Sequence, residues 1–375
     1  MGDKLSVFYL VNIPSPYRVD FFNELGNHCN LTVLFEKSNV TYRKKEWLRQ
    51  EFVNFDPIFL DDSNHPWEKF KLIKHYLDKD MFDIFVIGGY STLSGLTAIE
   101  ILNRKRIPFI LNTDGGFIKK DNILKHYIKR RYISSAQNWL STSSSTTDYL
   151  IHYGARKENI HLYPFTSLLK SDIQDAPVSN SKKKERRTKL GIKEEKVIIS
   201  IGRFISIKGF DTLIRSCESL PQNYGVYIIG GNPTSEYIEL KETLNLKNIY
   251  FVDFKAKEEL NHYYMAADLF VLPTRGDIWG LVINEAMANG LPVITTDKCV
   301  AGLELISNEI NGYIIPVEDS DDLAIKIKKV LEDENMMNKM SNSNLLKINQ
   351  YTIENMALQH IRIFKKAILE RNTND

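Results

Sequence analysis

Two acids, two bases and a scatter of glycines stand in the second half of this chain at spacings that suit a phosphorylated sugar. Asp277 lies in "TRGDIWG" and Glu285 follows eight residues later; "SIGRFISIKGF" carries Arg203 and Lys208. An ionised carboxylate only accepts hydrogen bonds, so it suits the vicinal diol of a ribose or hexose. A guanidinium presents a planar fork to a diphosphate, and a lysine adds a mobile point charge. Together the four side chains could hold two sugar rings and the phosphates between them. Singly each has a plainer explanation: Glu285 as a surface helix residue, Arg203 as a strand end, Lys208 as an exposed cation. Gly202 and Gly209 would let backbone approach a ligand closely. A second glycine turn, "IIGGNP" with Gly230 and Gly231, fits the same purpose or a simple tight turn, and Phe254 closes the strand after it.

These residues need elements to hold them. "DLFVLPT" (268–274) is a short apolar run closed by Pro273, as expected of a buried strand. From Gly280 the pattern turns helical through Leu281, Ile283, Met287 and Ala288, until Gly290 ends it. "PVITTD" is the next strand. Asp277 therefore falls in a strand-to-helix loop and Glu285 about one and a half turns into the helix. Arg203 falls just after a strand, and Lys208 just before a helix whose N-terminal N–H groups favour anions.

The same alternation runs the length of the chain. "SVFYLVNI", "NLTVLFE", "DIFVIGGY", "PFILNTD", "NWLSTS" and "IHLYPF" mark strands in the first half; "VIISIGRF", "YGVYIIGG", "NIYFVDF", "DLFVLPT", "PVITTD" and "GYIIPV" mark the second. Apolar strands separated by helices indicate parallel sheets covered on both faces. The fold class is α/β, with two doubly wound, Rossmann-like domains facing a cleft. The expected boundaries are 1–172 for the first domain and 190–350 for the second. A polar linker, 173–189, joins them, and its lysines and arginines are read as solvated rather than as a nucleic-acid or membrane contact. The amphipathic 353–375 is the last helix.

Taken together, "GRFISIKGFDTLI", "YYMAADLFVLPT" and "DIWGLVINEAMANGLPVITTD" resemble the retaining family-4 (group 1) glycosyltransferases of the GT-B fold. In that fold the last helix crosses back to the N-terminal domain, which binds the acceptor, while the C-terminal domain binds the nucleotide sugar. The resemblance implies that Arg203 and Lys208 hold the diphosphate, Asp277 the donor sugar and Glu285 the ribose. Gly202, Gly230, Gly231, Phe254, Ile278, Trp279, Gly280 and Leu281 complete the donor site. It also implies a nucleotide-sugar co-substrate, most commonly a UDP-sugar, with no separate cofactor and no metal, and a lipid-linked or growing glycan as acceptor in cell-surface or capsular polysaccharide synthesis. This chain departs from the family in the acidic loop. Asp277 is a methylene shorter than the usual Glu, Ile278 replaces a glycine, and Trp279 stands for a Phe. Two other functions stay open: a same-fold sugar-nucleotide epimerase and a non-catalytic sugar-nucleotide scaffold. A dinucleotide oxidoreductase is disfavoured, because no Gly-x-Gly-x-x-Gly follows the first strand.

The acceptor side is sparser. "NIPSPYR" follows the first strand and would aim Tyr17 and Arg18 at the cleft; "LNTDGGF" places Asp114 and Gly115 at a strand's carboxyl end, either as site residues or as a turn. Asp114 joins Arg203, Lys208 and Asp277 as a catalytic candidate. "GGYST" reads as a helix cap at Ser91 or Thr92. Phe117–Ser134 is basic and amphipathic, suited to an anionic leaflet or to an ordinary surface helix turning its apolar face inward.

Over 375 residues the net charge is +2, so no global field favours nucleic acid. Three scattered cysteines fit reduced thiols, and the eight histidines show no ligand spacing. Asp319 and Asp321 read as a helix cap. The opening "MGDKLSVFYLVNI" has too short an apolar run for a signal peptide. It matches a myristoylation pattern at Gly2 and Ser6, against which stands Ser6's place in a core strand. A cytoplasmic protein, working at the inner face of the membrane, is expected. The Asn-x-Thr triplets at Asn30 and Asn39 then carry no meaning.

Overall fold

The computed structural model describes residues 4–38, 51–62 and 65–374; Gly2 and Asn39 lie outside them. Two units emerge, one of Met1–Ser167 with Thr352–Asp375 and the other of Leu168–Tyr351.

Among the described residues of the first unit, seven strands form one parallel sheet: β1 (Ser6–Val11), β2 (Asn30–Phe35), β3 (Asp56–Phe59), β4 (Ile84–Ile87), β5 (Ile110–Thr113), β6 (Asn138–Ser141) and β7 (Ile160–Leu162). Their spatial order is β3-β2-β1-β4-β5-β6-β7. The helices are α1 (Pro16–His28), α2 (Pro66–Tyr76), α3 (Leu93–Lys105), α4 (Ile123–Ile133) and α5 (Ser144–His152). Six strands were expected; β3 is the addition. It lies at the sheet edge and contains Pro57, which has no N–H for a ladder, so its sequence hides it. Thr92 caps α3 by accepting from the Gly95 N–H at 3.1 Å, as its position in "GGYST" suggests.

The second sheet has six strands: β8 (Lys196–Ile201), β9 (Tyr224–Ile229), β10 (Ile249–Val252), β11 (Leu269–Leu272), β12 (Val293–Thr296) and β13 (Gly312–Ile315). Their order is β10-β9-β8-β11-β12-β13, again parallel throughout. Its helices are α6 (Asn180–Leu190), α7 (Phe210–Ser216), α8 (Ser235–Thr243), α9 (Lys257–Ala266), α10 (Leu281–Ala288), α11 (Val300–Leu305), α12 (Ser320–Leu331) and α13 (Glu334–Ile348). Every residue of β4, β9, β11 and β12 is buried, and β4 and β11 accordingly read as unbroken apolar runs. Burying one such aliphatic side chain contributes about 1.5–3 kcal/mol. Asp319 caps α12, accepting from the Asp322 N–H at 2.8 Å.

Two boundaries differ from expectation. The first unit ends at Ser167, and the supposed linker belongs to the second unit. From Asn180 on it forms most of α6, which packs on α9 and turns Lys183 and Arg187 onto buried Asp268. Two of the basic residues are therefore structural cations rather than a solvated cluster. The final helix, α14 (Ile353–Asn374), lies in the first unit and packs along α1, as the resemblance implied. His360 anchors it, fully buried between Phe21 and Tyr163 at ring distances of 4.8 and 4.7 Å. Burial lowers its pKa to about 4, so it packs as a neutral ring. All three cysteines are buried and unpaired.

Candidate active site

Strand order reverses direction between β8 and β11, and in open parallel sheets ligands bind beyond the carboxyl ends of the strands at such a point. Arg203 and Lys208 follow β8; Asp277 and Glu285 follow β11. Two sequence segments some seventy residues apart thus meet where the topology leaves a crevice.

Lys208 and Asp277 meet directly. Lys208 Nζ donates to Asp277 Oδ2 at 2.6 Å, with both side chains 19% exposed. Asp277 is itself held by a bridge to the next strand's loop, its N–H donating to the Lys298 carbonyl at 2.9 Å. Glu285 is half-buried on α10, where the Tyr264 hydroxyl donates to Oε2 at 2.9 Å. Burial and the Glu285 charge push the Tyr264 pKa well up, so it stays a donor. Arg203 is exposed at the end of β8.

Two of the glycines sit where backbone packs on backbone. A Cβ on Gly209, whose φ is +67°, would lie 2.0 Å from the Pro273 carbonyl oxygen; one on Gly230 would lie 1.7 Å from that of Gly202. Gly209 lets the turn before α7 approach the end of β11, and Gly230 lets the end of β9 approach the end of β8. Gly231, by contrast, faces open space. Phe254 is half-buried beyond β10, two strands from the switch point. In the acidic loop, Ile278 points outward at 60% exposure, while Trp279 turns into the core and donates to Asn284 Oδ1 at 2.8 Å. Gly280 and half-buried Leu281 open α10. The helix after Lys208, α7, is only seven residues long, and its first turn carries Asp211, so cationic side chains rather than a helix end supply the positive charge.

Sequence reasoning missed Arg275, whose guanidinium grips Asp211 through two bonds, Nη1 to Oδ1 at 2.9 Å and Nη2 to Oδ2 at 2.6 Å. Burial would raise the Asp211 carboxyl, but Arg275 outweighs it and the pKa is lowered. The available signal was a basic residue two places before Asp277. Tyr264 was missed likewise, since nothing local links it to Glu285.

In the first unit, Arg18 pairs with Asp114, joining the α1 start to the β5 end. Arg18 is 8% exposed, enclosed beside Asp114 at the strand's carboxyl end. Its Nε donates to the Tyr17 hydroxyl at 3.1 Å. Burial acts to neutralise Arg18, and Asp114 with Tyr17 prevails to keep it charged. Beneath lies a buried row in which Tyr163 donates to Asn112 Oδ1 and Asn112 donates to the Tyr9 hydroxyl, at 3.1 and 3.0 Å. Gly115 follows Asp114 at the same strand end.

The helix α4 does not turn its apolar face inward. Among its residues only Ile133 is buried, while Ile123 is 91%, Leu124 69% and Tyr127 62% exposed. Three of its cations are engaged: Lys129 and Lys125 pair with Asp121 at 2.7 and 3.5 Å, and Arg131 pairs with Glu100 at 2.6 Å. Among the described residues, no helix is long and apolar enough to cross a membrane, and no three or more His, Cys, Asp or Glu side chains gather as metal ligands would.

Residues 182–345 match the family of "Glycosyl transferases group 1". The chain is 31% identical over 217 residues to mannosylfructose-phosphate synthase of Agrobacterium fabrum, covering 54% of this chain and 46% of that one. It is 22% identical over 258 residues to the N,N'-diacetylbacillosaminyl-diphospho-undecaprenol alpha-1,3-N-acetylgalactosaminyltransferase of Campylobacter jejuni, covering 68% and 67%. The chain thus spans about half to two thirds of the length of the curated relatives it matches. Its fold is that of the Anabaena protein HepE, solved with UDP and glucose, at a TM-score of 0.75 and 16% identity over 96% of this chain and 99% of HepE. The two doubly wound units are accordingly those of the GT-B class.

Proposed function

We propose, from the group 1 glycosyl transferase domain that this chain carries over residues 182–345, that it moves a sugar from a nucleoside diphosphate to a hydroxyl of a growing or lipid-linked glycan, with retention at the anomeric carbon. The observation that carries this is the Lys208–Asp277 pair at the switch point of the second sheet. One of the ammonium's three N–H donors goes to Asp277, so Lys208 can bridge that carboxylate and a phosphate oxygen. Arg203 contributes a second cation. The acceptor oxygen attacks the anomeric carbon on the face from which the diphosphate departs. As the carbon–oxygen bond to phosphate breaks and the glycosidic bond forms, a departing phosphate oxygen takes the acceptor's proton. Lys208 and Arg203 stabilise the charge that grows there, the role a metal ion plays in other transferases. Asp277 accepts from the donor sugar and Glu285, aimed by Tyr264, from the ribose diol. Gly202, Gly231, Ile278, Gly280 and Leu281 supply backbone around the donor, and Asp114, held by Arg18 beside Tyr17 and Gly115, accepts from the acceptor hydroxyl.

A UDP-sugar is the first candidate donor, as the ligands of HepE suggest; the lipid-linked substrate in the Campylobacter relative's name points to the acceptor class and to cell-surface polysaccharide assembly. Screening UDP-, GDP-, ADP- and dTDP-sugars by thermal shift tests the assignment. A donor at 100 times its Kd adds about 2.7 kcal/mol of stability, and nucleoside diphosphate then appears only when an acceptor is supplied. No stabilising donor, or a donor converted without acceptor, rejects it.

The exposed face of α4 serves an anionic lipid surface at the cytoplasmic leaflet. Ile123, Leu124 and Tyr127 enter the headgroup boundary, while Lys119 and Lys120 meet lipid phosphates. In sedimentation with phosphatidylglycerol vesicles, Ile123→Ser/Leu124→Ser lowers the bound fraction at least five-fold and Lys119→Glu/Lys120→Glu does the same. Binding equal to wild type in both removes the membrane from this account. Lys129 is left intact in these variants because it secures Asp121.

A further inference from the structure

We infer that Arg275 is a positioning residue of the donor site, holding the Lys208 turn and the Asp277 loop in one register; the inference rests on the nucleotide-sugar assignment above. Arg275 lies two residues before Asp277, and the Asp211 carboxylate it grips lies three residues after Lys208. Its Nη1 also donates to the Ser206 carbonyl at 2.6 Å, inside the turn that ends at Lys208. The backbone repeats the link, because the Arg275 N–H and the Thr274 hydroxyl both donate to the Ile207 carbonyl at 2.8 Å. Nε donates to Glu318, beyond β13, where the backbone takes a left-handed φ of +65°. One guanidinium therefore ties together the loops that leave β8, β11 and β13.

Four of its five N–H donors are committed to these partners, so Arg275 holds the site without itself meeting the ligand. The demand for such a pin is physical. Lys208 is a point charge on a flexible stem, and a phosphate contact requires it within about 0.5 Å of its working place. A lysine at 275 keeps the charge and loses the fork that spans two carboxylate oxygens and a carbonyl at once. An ordinary surface ion pair contributes little, so the alternative is an Arg275 that steadies the fold and nothing more.

The experiment separates the two by using ligands with and without phosphates. UDP, GDP, ADP and dTDP are titrated against the full-length protein, and the tightest is paired with its nucleoside. Arg275→Ala raises the diphosphate Kd ten-fold or more and Arg275→Lys at least five-fold, while the nucleoside Kd stays within two-fold. Asp211→Asn reproduces the loss, and adding it to Arg275→Ala weakens binding less than two-fold further. Equal weakening of diphosphate and nucleoside in both Arg275 variants, or no change in either ligand, overturns the positioning role. Should Arg275→Ala fail to fold, Arg275→Lys decides by the same ratio. A wild-type protein without a ten-fold preference for any diphosphate over its nucleoside overturns the donor assignment itself, and the pin with it.

Discussion

Lys208→Ala is expected to slow sugar transfer about 10²–10³-fold, the range seen when one preorganised charge-stabilising donor is removed, with the circular dichroism spectrum unchanged. Two effects add. The Lys208 side chain is four-fifths buried, so its field on the departing diphosphate is less screened than at an open surface. Its removal also leaves the Asp277 carboxylate, formerly 2.6 Å away, uncompensated and facing an incoming dianion. Asp277→Asn in the Lys208→Ala background relieves that repulsion and regains donor affinity, but not rate, because nothing replaces the cation. Arg203→Ala moves the rate in the same direction. The measurement is initial velocity with the donor found by thermal shift; a Lys208→Ala rate within three-fold of wild type contradicts the phosphate role.

The second large effect is on stability. Asp268 stands just before β11, 5% exposed, and accepts from Lys183 at 2.9 Å, Arg187 at 2.6 Å and the Val197 N–H at 2.9 Å. Burial alone would raise its pKa. The two cations and the amide prevail and hold it below the usual carboxylate range. Breaking a buried pair by removing one partner costs about 3–5 kcal/mol, because the remaining charge is stranded. Asp268→Asn is expected to lose about that much at pH 7, read from the urea midpoint. The sign with pH follows from the depressed pKa. The folded state holds its proton less tightly than the unfolded one, so the contribution is complete above about pH 4, the unfolded value. It is lost as pH falls through the lower folded value. Wild-type and variant curves therefore converge in acid. Equal midpoints at pH 7 would show that α6 is not anchored through Asp268.

How much of this was legible beforehand varies by residue. The strands of both sheets stood out wherever both faces are buried, since a run such as "DLFVLPT" admits little but apolar side chains. β3 escaped because an edge strand tolerates Pro57 and partial exposure. Glu285 was placed on its helix by spacing alone, and its partner Tyr264 was not. The basic run 182–189 looked solvated because charge is a local property, whereas Asp268, eighty-one residues from Arg187, is not. For α4, amphipathic character was plain and the direction of its apolar side was not, since the sequence does not say which side meets a neighbour.

Local pattern was enough to establish the alternation of strand and helix, the loop and helix positions of Asp277 and Glu285, and the cations beyond β8. Tertiary structure alone joined Lys208 to Asp277, Arg275 to Asp211 and Arg18 to Asp114, and packed Gly209 on Pro273 and Gly230 on Gly202. The reason is range: propensity and periodicity act over a few residues, whereas a strand order that reverses between β8 and β11 brings together side chains separated by most of a domain.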